Sequence, residues 1–287
     1  MNAAPRRARM RALLAGDACI FPASLHDPLS ARIALDLGFE MGMLAGSVAA
    51  LAVLGAPDLI VLTLSELADL ALRIGRAADL PLMVDADHGY GNALSVKRTV
   101  EELEIAGVAA LTIEDTVLPV PYGGVGRTQL VSIEEGVGKM RAALAGRQDP
   151  ALVVVGRSGA VSVAGTAEAI ARGRAYEAAG VDALFLTGVT RREELVSIAE
   201  AVKLPLMLGG LAPPLEDRAW LAAQGVRVAL QGHLPSQAAL QAVQTTLAAL
   251  RAGTPPAEIA ATLSPELLKR ASRAGDYDAW MRAFLGG

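Results

Sequence analysis

The chain has 287 residues, long enough for two average domains or for one large barrel-type fold. Its 26 Lys and Arg against 30 Asp and Glu give a net charge of −4, with no basic run beyond the first eleven residues, which disfavours a nucleic-acid binder. Hydrophobic residues make up 53 % but aromatics only 3 %, so the core has to be built from Ala, Leu, Val and Ile, the palette of a parallel sheet wrapped in Ala-rich helices.

In chain order, Arg6, Arg7, Arg9 and Arg11 precede an apolar patch too short for a secretory leader's core of about 7–15 residues, and the segment reads as a short N-terminal helix. Strand one is expected over 18–22 with its tip at Pro22. The single cysteine, Cys19, cannot form an internal disulfide or a multi-Cys metal site, and a cytoplasmic protein is expected. Gly38-Phe39 leads into strand two, 41–47. The apolar stretch 41–56 is broken by Gly42, Gly46, Ser47 and Gly55 and stopped by Pro57-Asp58, short of the roughly 20 residues that cross a bilayer, so no membrane contact is expected. Helix 64–78 and strand three, 80–84, run up to Asp85. Helix 93–106 and Gly107-Val108 then lead into strand four, 111–115. Helix 133–145 precedes strand five, 151–156, which ends at Arg157. Helix 165–179 and Gly180-Val181 lead into strand six, 184–187. Helix 192–202 is followed by strand seven, 204–208, before Gly209. Helix 215–224 and Gly225-Val226 lead into strand eight, 228–233. Glycine just past a helix end takes the left-handed cap, and proline at a strand's first residue, as at Pro81 and Pro205, costs no ladder hydrogen bond.

Eight alternations of strand and helix predict a (β/α)8 TIM-type barrel over residues 1–252. An open doubly wound sheet is the alternative, because counting strands does not prove closure. Thr254-Pro255-Pro256 breaks the chain, and 253–287 reads as an extension of one or two helices. Its apolar anchors Trp280 and Phe284 suit packing on another subunit or on the same barrel.

Such barrels place the active site at the C-terminal ends of the strands. The expected tips are Pro22, Ser47, Asp85 with Asp87 and His88, Glu114 with Asp115, Arg157, Thr187, Gly209 and Gln231-Gly232-His233. Asp85, Asp87 and Glu114 fall on adjacent strands, and carboxylates so close cannot all ionise without a compensating charge. Either a divalent cation or neighbouring Arg and Lys side chains supply it. Oxygen ligands without histidine or thiol in zinc spacing favour Mg2+ or Mn2+. Arg157 ends a very apolar run and offers a fork to a carboxylate, unless it is paired structurally. His233 reads equally as a ligand contact or a satisfied hydrogen-bonding group, and Ser47, after Gly46, as an anion contact or a turn serine. No Ser/His/Asp arrangement, P-loop or dinucleotide turn is present. A divalent metal with an arginine suits a small 2-keto acid: the metal holds the enolate that develops as a bond β to the ketone breaks.

His26-Asp27-Pro28-Leu29-Ser30-Ala31-Arg32, Asp85-Ala86-Asp87-His88-Gly89-Tyr90-Gly91-Asn92 and Thr112-Ile113-Glu114-Asp115 resemble the phosphoenolpyruvate mutase/isocitrate lyase superfamily, over roughly residues 10–250. Gly46-Ser47-Val48-Ala49, the run from Glu134 to Lys139, and Gly232-His233 are most similar to its decarboxylating branch. The resemblance implies Mg2+-dependent conversion of oxaloacetate, or a close 3-substituted 2-keto acid, to pyruvate and CO2. It implies Asp85 as the direct metal ligand, with Asp87 and Glu114 holding metal-bound waters and Asp58 adding a hydrogen bond to those waters. Ser47, Arg157 and His233 would bind substrate, the last two as catalytic groups. It further implies a mobile gate over 118–129 and a homotetramer, a dimer of dimers, with exchanged C-terminal helices.

The superfamily's carbon–carbon lyases, of the 2-methylisocitrate type, carry a Lys-Lys-Cys-Gly-His gate, and its carbon–phosphorus enzymes carry Lys and Asn there. Neither set occurs in Pro119-Val120-Pro121-Tyr122-Gly123-Gly124-Val125-Gly126, which leaves decarboxylation, because CO2 departs as a neutral molecule. The alternatives are another lyase reaction, a phosphonopyruvate or acylpyruvate hydrolase, or a catalytically weakened binding barrel. The chain departs from the branch at Ser158-Gly159, where Thr-Asn usually follows the strand-five arginine. It departs again at Gly209-Gly210-Leu211-Ala212-Pro213, in place of a Tyr-Gly-Asn-Pro-like turn. Both changes remove hydrogen-bonding groups near the mouth, and the vacated space is expected to admit a larger or more apolar keto acid.

Overall fold

Short runs of Ala, Val, Leu, Ile and Met satisfy their backbone and bury both faces at once in a parallel sheet covered by helices. In the computed structural model, which describes residues 3–286, these runs form β1 (Ala23–Ser24), β2 (Gly42–Leu44), β3 (Leu82–Asp85), β4 (Ala110–Glu114), β5 (Val153–Ser158), β6 (Ala183–Leu186), β7 (Leu206–Leu208) and β8 (Val226–Ala229). They lie side by side in sequence order. A parallel bridge from Ile20 to Val228, with Ile20 N–H donating to Arg227 O at 2.7 Å and Ala229 N–H to Ile20 O at 3.0 Å, joins the last strand to the first. The sheet is therefore a (β/α)8 TIM-type barrel. A doubly wound sheet, whose order reverses at a switch point, is excluded.

The helices are α1 (Ala4–Ala15), α2 (Pro28–Asp36), α3 (Gly46–Leu54), α4 (Leu64–Ala77), α5 (Ala93–Ile105), α6 (Ile133–Gly146), α7 (Ala160–Ala164), α8 (Thr166–Ala179), α9 (Arg192–Ala201), α10 (Arg218–Ala223) and α11 (Leu234–Arg251), then α12 (Pro256–Ala260), α13 (Pro265–Ser272) and α14 (Ala274–Leu285) in the tail. Gly38, Gly107, Gly180 and Gly225 make the expected left-handed turns, with φ of 80, 84, 98 and 80°.

Side chains alternate along the strands between two cores. Met43, Met83, Val153, Val155, Phe185 and Met207 fill the barrel interior, which Met10 and Leu14 of α1 close from below. Leu44, Val84, Leu111, Val154, Leu184 and Leu208 face the helices. The N-terminal arginines hold α1 in place: Arg6 donates to Gly75 O at 2.7 Å, Arg7 to Glu104 O at 2.8 Å and Arg11 to Asp182 at 2.7 Å.

Four expectations shift. Strand eight covers Val226–Ala229 instead of 228–233, so His233 precedes α11 instead of ending a strand. Strand one ends at Ser24 and not at Pro22; Ala23 and Ser24 form the ladder with β2, for which Pro22 lacks a donor. Strand two stops at Leu44, so Ser47 sits in the first turn of α3 instead of at a strand tip. The tail holds three helices instead of one or two, because Ser264-Pro265 starts a new helix and Arg273, at φ 60°, ends it. Arg273 forks onto Asp36 of α2, both contacts at 2.7 Å. Ser236 is the one buried residue of α11, and its Leu240, Val243 and Leu247 are 60, 56 and 60 % exposed. Among the described residues no helix is long and apolar enough to cross a membrane.

The alternation also separates Glu114 from Asp115. Asp115 points outward and is fully buried, where its Oδ2 accepts from Arg172 at 3.0 Å and from the Tyr176 hydroxyl at 2.7 Å, both on α8. Gly136 of α6 makes room, since a Cβ there would strike that hydroxyl. Removing one partner of a buried ion pair leaves the other charge uncompensated. Asp115→Ala is therefore expected to lower unfolding free energy by about 3–5 kcal/mol in a urea titration.

Candidate active site

The same period-two rule that builds the interior delivers its uppermost side chains to the barrel mouth. Met83 is followed on its face by Asp85, Ala110 by Thr112 and Glu114, Val155 by Arg157, Phe185 by Thr187, and Met207 by Gly209. Register places Glu114 directly beside Arg157 and Asp85 beside Thr112. The expected residues Ser47, Asp58, Asp85, Asp87, Glu114, Arg157 and His233 all line one cavity of about 550 Å³.

Asp85 is the hub. Its Oδ1 accepts from Thr112 Oγ1 at 2.8 Å and from the Asp87 N–H at 3.2 Å, and its Oδ2 accepts a short contact from Arg157 Nη1. Arg157 Nη2 stands 3.5 Å from Glu114 Oε2, which also accepts from Thr116 Oγ1 at 2.9 Å. The guanidinium lies 5.6 Å from the Phe185 ring centre, within cation–π range. Its Nε is buried without a partner among the described residues. Asp87 lies against Gly46 at the N-terminus of α3, so closely that a Cβ at Gly46 would collide with the carboxylate. His233 stands at the start of α11, its Nδ1 meets Ser24 Oγ at 2.9 Å, and its Nε2 has no hydrogen-bond partner among the described residues.

Charge is out of balance here. Burial, reinforced by the charges of Asp85, Glu114 and Asp58 against Arg157, pushes the Asp87 carboxyl up to about 8. Burial raises Glu114 against the pull of Arg157. It raises Asp58 too, helped by the charge of Asp85, and lowers His233, whose imidazole is therefore neutral at pH 7. Burial opposes the charge on Arg157, but Asp85, Glu114 and Asp87 together outweigh it and hold the guanidinium protonated. With Asp85, Asp87 and Glu114 all ionised, one guanidinium leaves two negative charges over, the deficit a divalent cation fills. The donors are oxygen only, the set that suits a hard cation. Among the described residues no three His, Cys, Asp or Glu side chains are grouped to ligate an ion directly. The chemistry of the donors, carboxylate oxygens in excess of positive charge, fits a hard divalent cation.

Of the two readings of the carboxylates left open by the sequence, the structure shows the pairing, Arg157 with Asp85 and Glu114, while the cation remains a proposal. Thr112, Thr116, Ser24 and Phe185 were missed as site residues. The parity of β4 and β6 could have found Thr112 and Phe185, whereas Ser24 depended on where strand one ends. The space beside Gly209 is taken up: a Cβ there would meet the Phe185 ring and Thr187. Ser158 turns away from the cavity, its Oγ accepting from Ala160 N–H at 3.2 Å. Ser158 and Gly209 therefore add no room, whereas at Gly210, which also lines the cavity, a Cβ would meet nothing within 4 Å.

The phosphoenolpyruvate phosphomutase family model matches residues 10–251. An oxaloacetate decarboxylase of Bradyrhizobium sp. (strain BTAi1 / ATCC BAA-1182) is 55 % identical over 280 residues, 98 % of this chain and 97 % of that protein. Another, of Rhodopseudomonas palustris (strain BisB18), is 56 % identical over 281 residues with the same coverage. Among solved structures, phosphonopyruvate hydrolase with oxalate and Mg2+ superposes with a TM-score of 0.85 at 29 % identity, covering 98 % of this chain and 99 % of that one. Oxaloacetate acetylhydrolase with 3,3-difluorooxalacetate gives 0.83 at 30 %, covering 98 and 97 %. With a family model spanning the barrel and relatives alike over nearly their whole length, the chain belongs to the phosphoenolpyruvate phosphomutase family.

Proposed function

We propose that this protein is a carboxy-lyase that converts oxaloacetate to pyruvate and CO2 with Mg2+, or Mn2+ in its place, at the Asp85 cluster. The observation that carries this reading is what the gate loop gives the cavity: Leu118, Pro119 and Val120, all apolar, and no acid, base or thiol. The loop is pinned at its base by Val117 N–H to Gln129 O and Val131 N–H to Asp115 O, both 2.8 Å. A carbon–carbon lyase or a hydrolase needs a group there to move a proton or activate water. Decarboxylation does not, because the departing group leaves neutral. Relatives at 52–56 % identity that are named oxaloacetate decarboxylase support the same reading.

Asp85 is the residue for direct ligation, with Asp87, Glu114 and Asp58 holding the cation's waters. When bound, the cation supplies Lewis-acid stabilisation of the negative charge that develops on the keto oxygen. Ser47 and the first turn of α3 face the substrate carboxylate, where a helix N-terminus favours an anion. Arg157 lines the cavity and offers its guanidinium to a substrate oxygen. His233 is neutral and held by Ser24, which leaves Nε2 as the ring atom for substrate. Leu118, Val120, Phe185 and Leu230 wall the cavity with hydrocarbon. They exclude water from the carboxylate that becomes CO2.

In a pyruvate-detecting assay, turnover of oxaloacetate is expected to vanish with EDTA, return with Mg2+ and be inhibited competitively by oxalate. Asp85→Ala should cost about 10²–10³-fold, the scale of losing a main source of charge stabilisation. Full activity in Asp85→Ala would refute the site.

We further propose a homotetramer, a dimer of dimers, in the cytoplasm, with residues 1–252 as the barrel and 253–287 as an extension exchanged between subunits. The support is apolar surface in the wrong place for a monomer. Alongside the exposed leucines of α11 runs a groove walled by Leu25, Ile33, Leu37 and Phe39, and Trp280 and Phe284 are 49 and 78 % exposed. Light scattering at micromolar protein is expected to give four times the 29.6 kDa chain mass; a monomer would refute the exchange.

A further inference from the structure

The loop from β3 to α5 carries Asp87, and its backbone is forced. Asp87, Gly89, Tyr90 and Gly91 all have positive φ, at 47, 80, 59 and 149°. That conformation is uncommon for any residue with a side chain and an outlier for a bulky one such as Tyr90. Strain of this kind persists only where the surroundings over-determine it. Three consecutive carbonyls are caught by three different elements. Asp87 O accepts from the Glu114 N–H of β4 at 2.8 Å, His88 O from Lys139 Nζ of α6 at 2.9 Å, and Gly89 O from Thr99 Oγ1 of α5 at 3.0 Å.

Lys139 is the unusual member. It is 3 % exposed, and the His88 carbonyl is the one hydrogen-bond partner it has among the described residues. Burying an ammonium without a paired carboxylate is costly, and a methionine would fill the same volume without that cost. What the lysine supplies and methionine does not is a donor that reaches the carbonyl following Asp87, and a positive charge behind the carboxylates. The Asp87 carboxylate has little freedom of its own, because it is packed against Gly46. A rotation of the peptide at 87–88 would swing it away from Asp85.

We propose that Lys139 is a positioning residue for the cation site: its hydrogen bond to the His88 carbonyl, with Thr99 on the next carbonyl, locks the strained path of residues 87–91 that aims Asp87 at Asp85. The proposal rests on the reading that Asp85 and Asp87 hold the cation, and its test separates the two.

Mn2+ is titrated into the full-length protein without substrate, with free Mn2+ read by its electron paramagnetic resonance signal. Lys139→Met, Lys139→Arg, Thr99→Val and Asp85→Ala are compared with the wild type, and amide hydrogen exchange is followed over 87–92. Lys139→Met is expected to weaken Mn2+ binding about 10- to 100-fold, the range found for residues that orient metal ligands, and to speed exchange in the loop. Lys139→Arg keeps a donor and should recover most of the affinity. Thr99→Val should weaken binding in the same direction. A lower melting temperature with Mn2+ affinity and loop exchange unchanged would make Lys139 merely structural and overturn the proposal. If Lys139→Met does not fold, unchanged affinity and exchange in Thr99→Val overturn it equally. If Asp85→Ala binds Mn2+ as the wild type does, the cation site itself is wrong, and the proposal falls with it.

Discussion

Arg157 stands between Asp85 and Glu114 at the ends of three neighbouring strands, and the rest of the mouth is organised around that one cation. It touches two of the carboxylates and leaves Asp87 unneutralised. A fully satisfied ion-pair network would be a structural feature of the fold. One buried and left short of positive charge, as here, holds the Asp87 carboxyl up at about 8 and marks the cavity as the proposed place for a cation.

Most of this was legible in the sequence because the barrel converts order into position. Eight alternations of apolar strand and Ala-rich helix, punctuated by Gly38, Gly107, Gly180 and Gly225, fix which residues end strands. The period of two then fixes which of them look inward. Glu114 and Asp115 are adjacent in sequence and opposite in role for that reason alone: one lines the cavity, the other is sealed under Arg172 and Tyr176. Where the reading went astray, the cause was local. Pro22 lacks the N–H that a ladder needs, which moved the strand-one tip to Ser24 and with it the partner of His233. Gly46-Ser47 started a helix directly after β2. The Phe185 ring and Thr187 occupy the volume beside Gly209, a packing outcome that no single-sequence pattern encodes.

The family tolerates several reactions on one scaffold, as the phosphonopyruvate hydrolase, 2,3-dimethylmalate lyase and oxaloacetate acetylhydrolase that share this fold illustrate. The loop after β4 bears on which reaction this chain carries out. Its contribution to the cavity is hydrocarbon, and among the described residues the titratable groups that line the cavity are Asp58, Asp85, Asp87, Glu114, Arg157 and His233. Chemistry that ends in a neutral leaving molecule asks least of such a site. The strained β3 loop, clamped at three successive carbonyls, shows where the fold spends stability for function: it fixes the one carboxylate that charge repulsion would otherwise turn away.

We propose that the Asp85 cluster and Arg157 together receive a divalent cation and a planar keto-acid enolate. A crystal structure of the protein with Mn2+ and oxalate, with manganese located by its anomalous scattering, tests it directly. The account predicts a manganese peak in direct contact with Asp85, with oxalate held by Arg157 and the first turn of α3. A peak away from these carboxylates, or oxalate outside the cavity while Arg157 still caps Asp85, would contradict it.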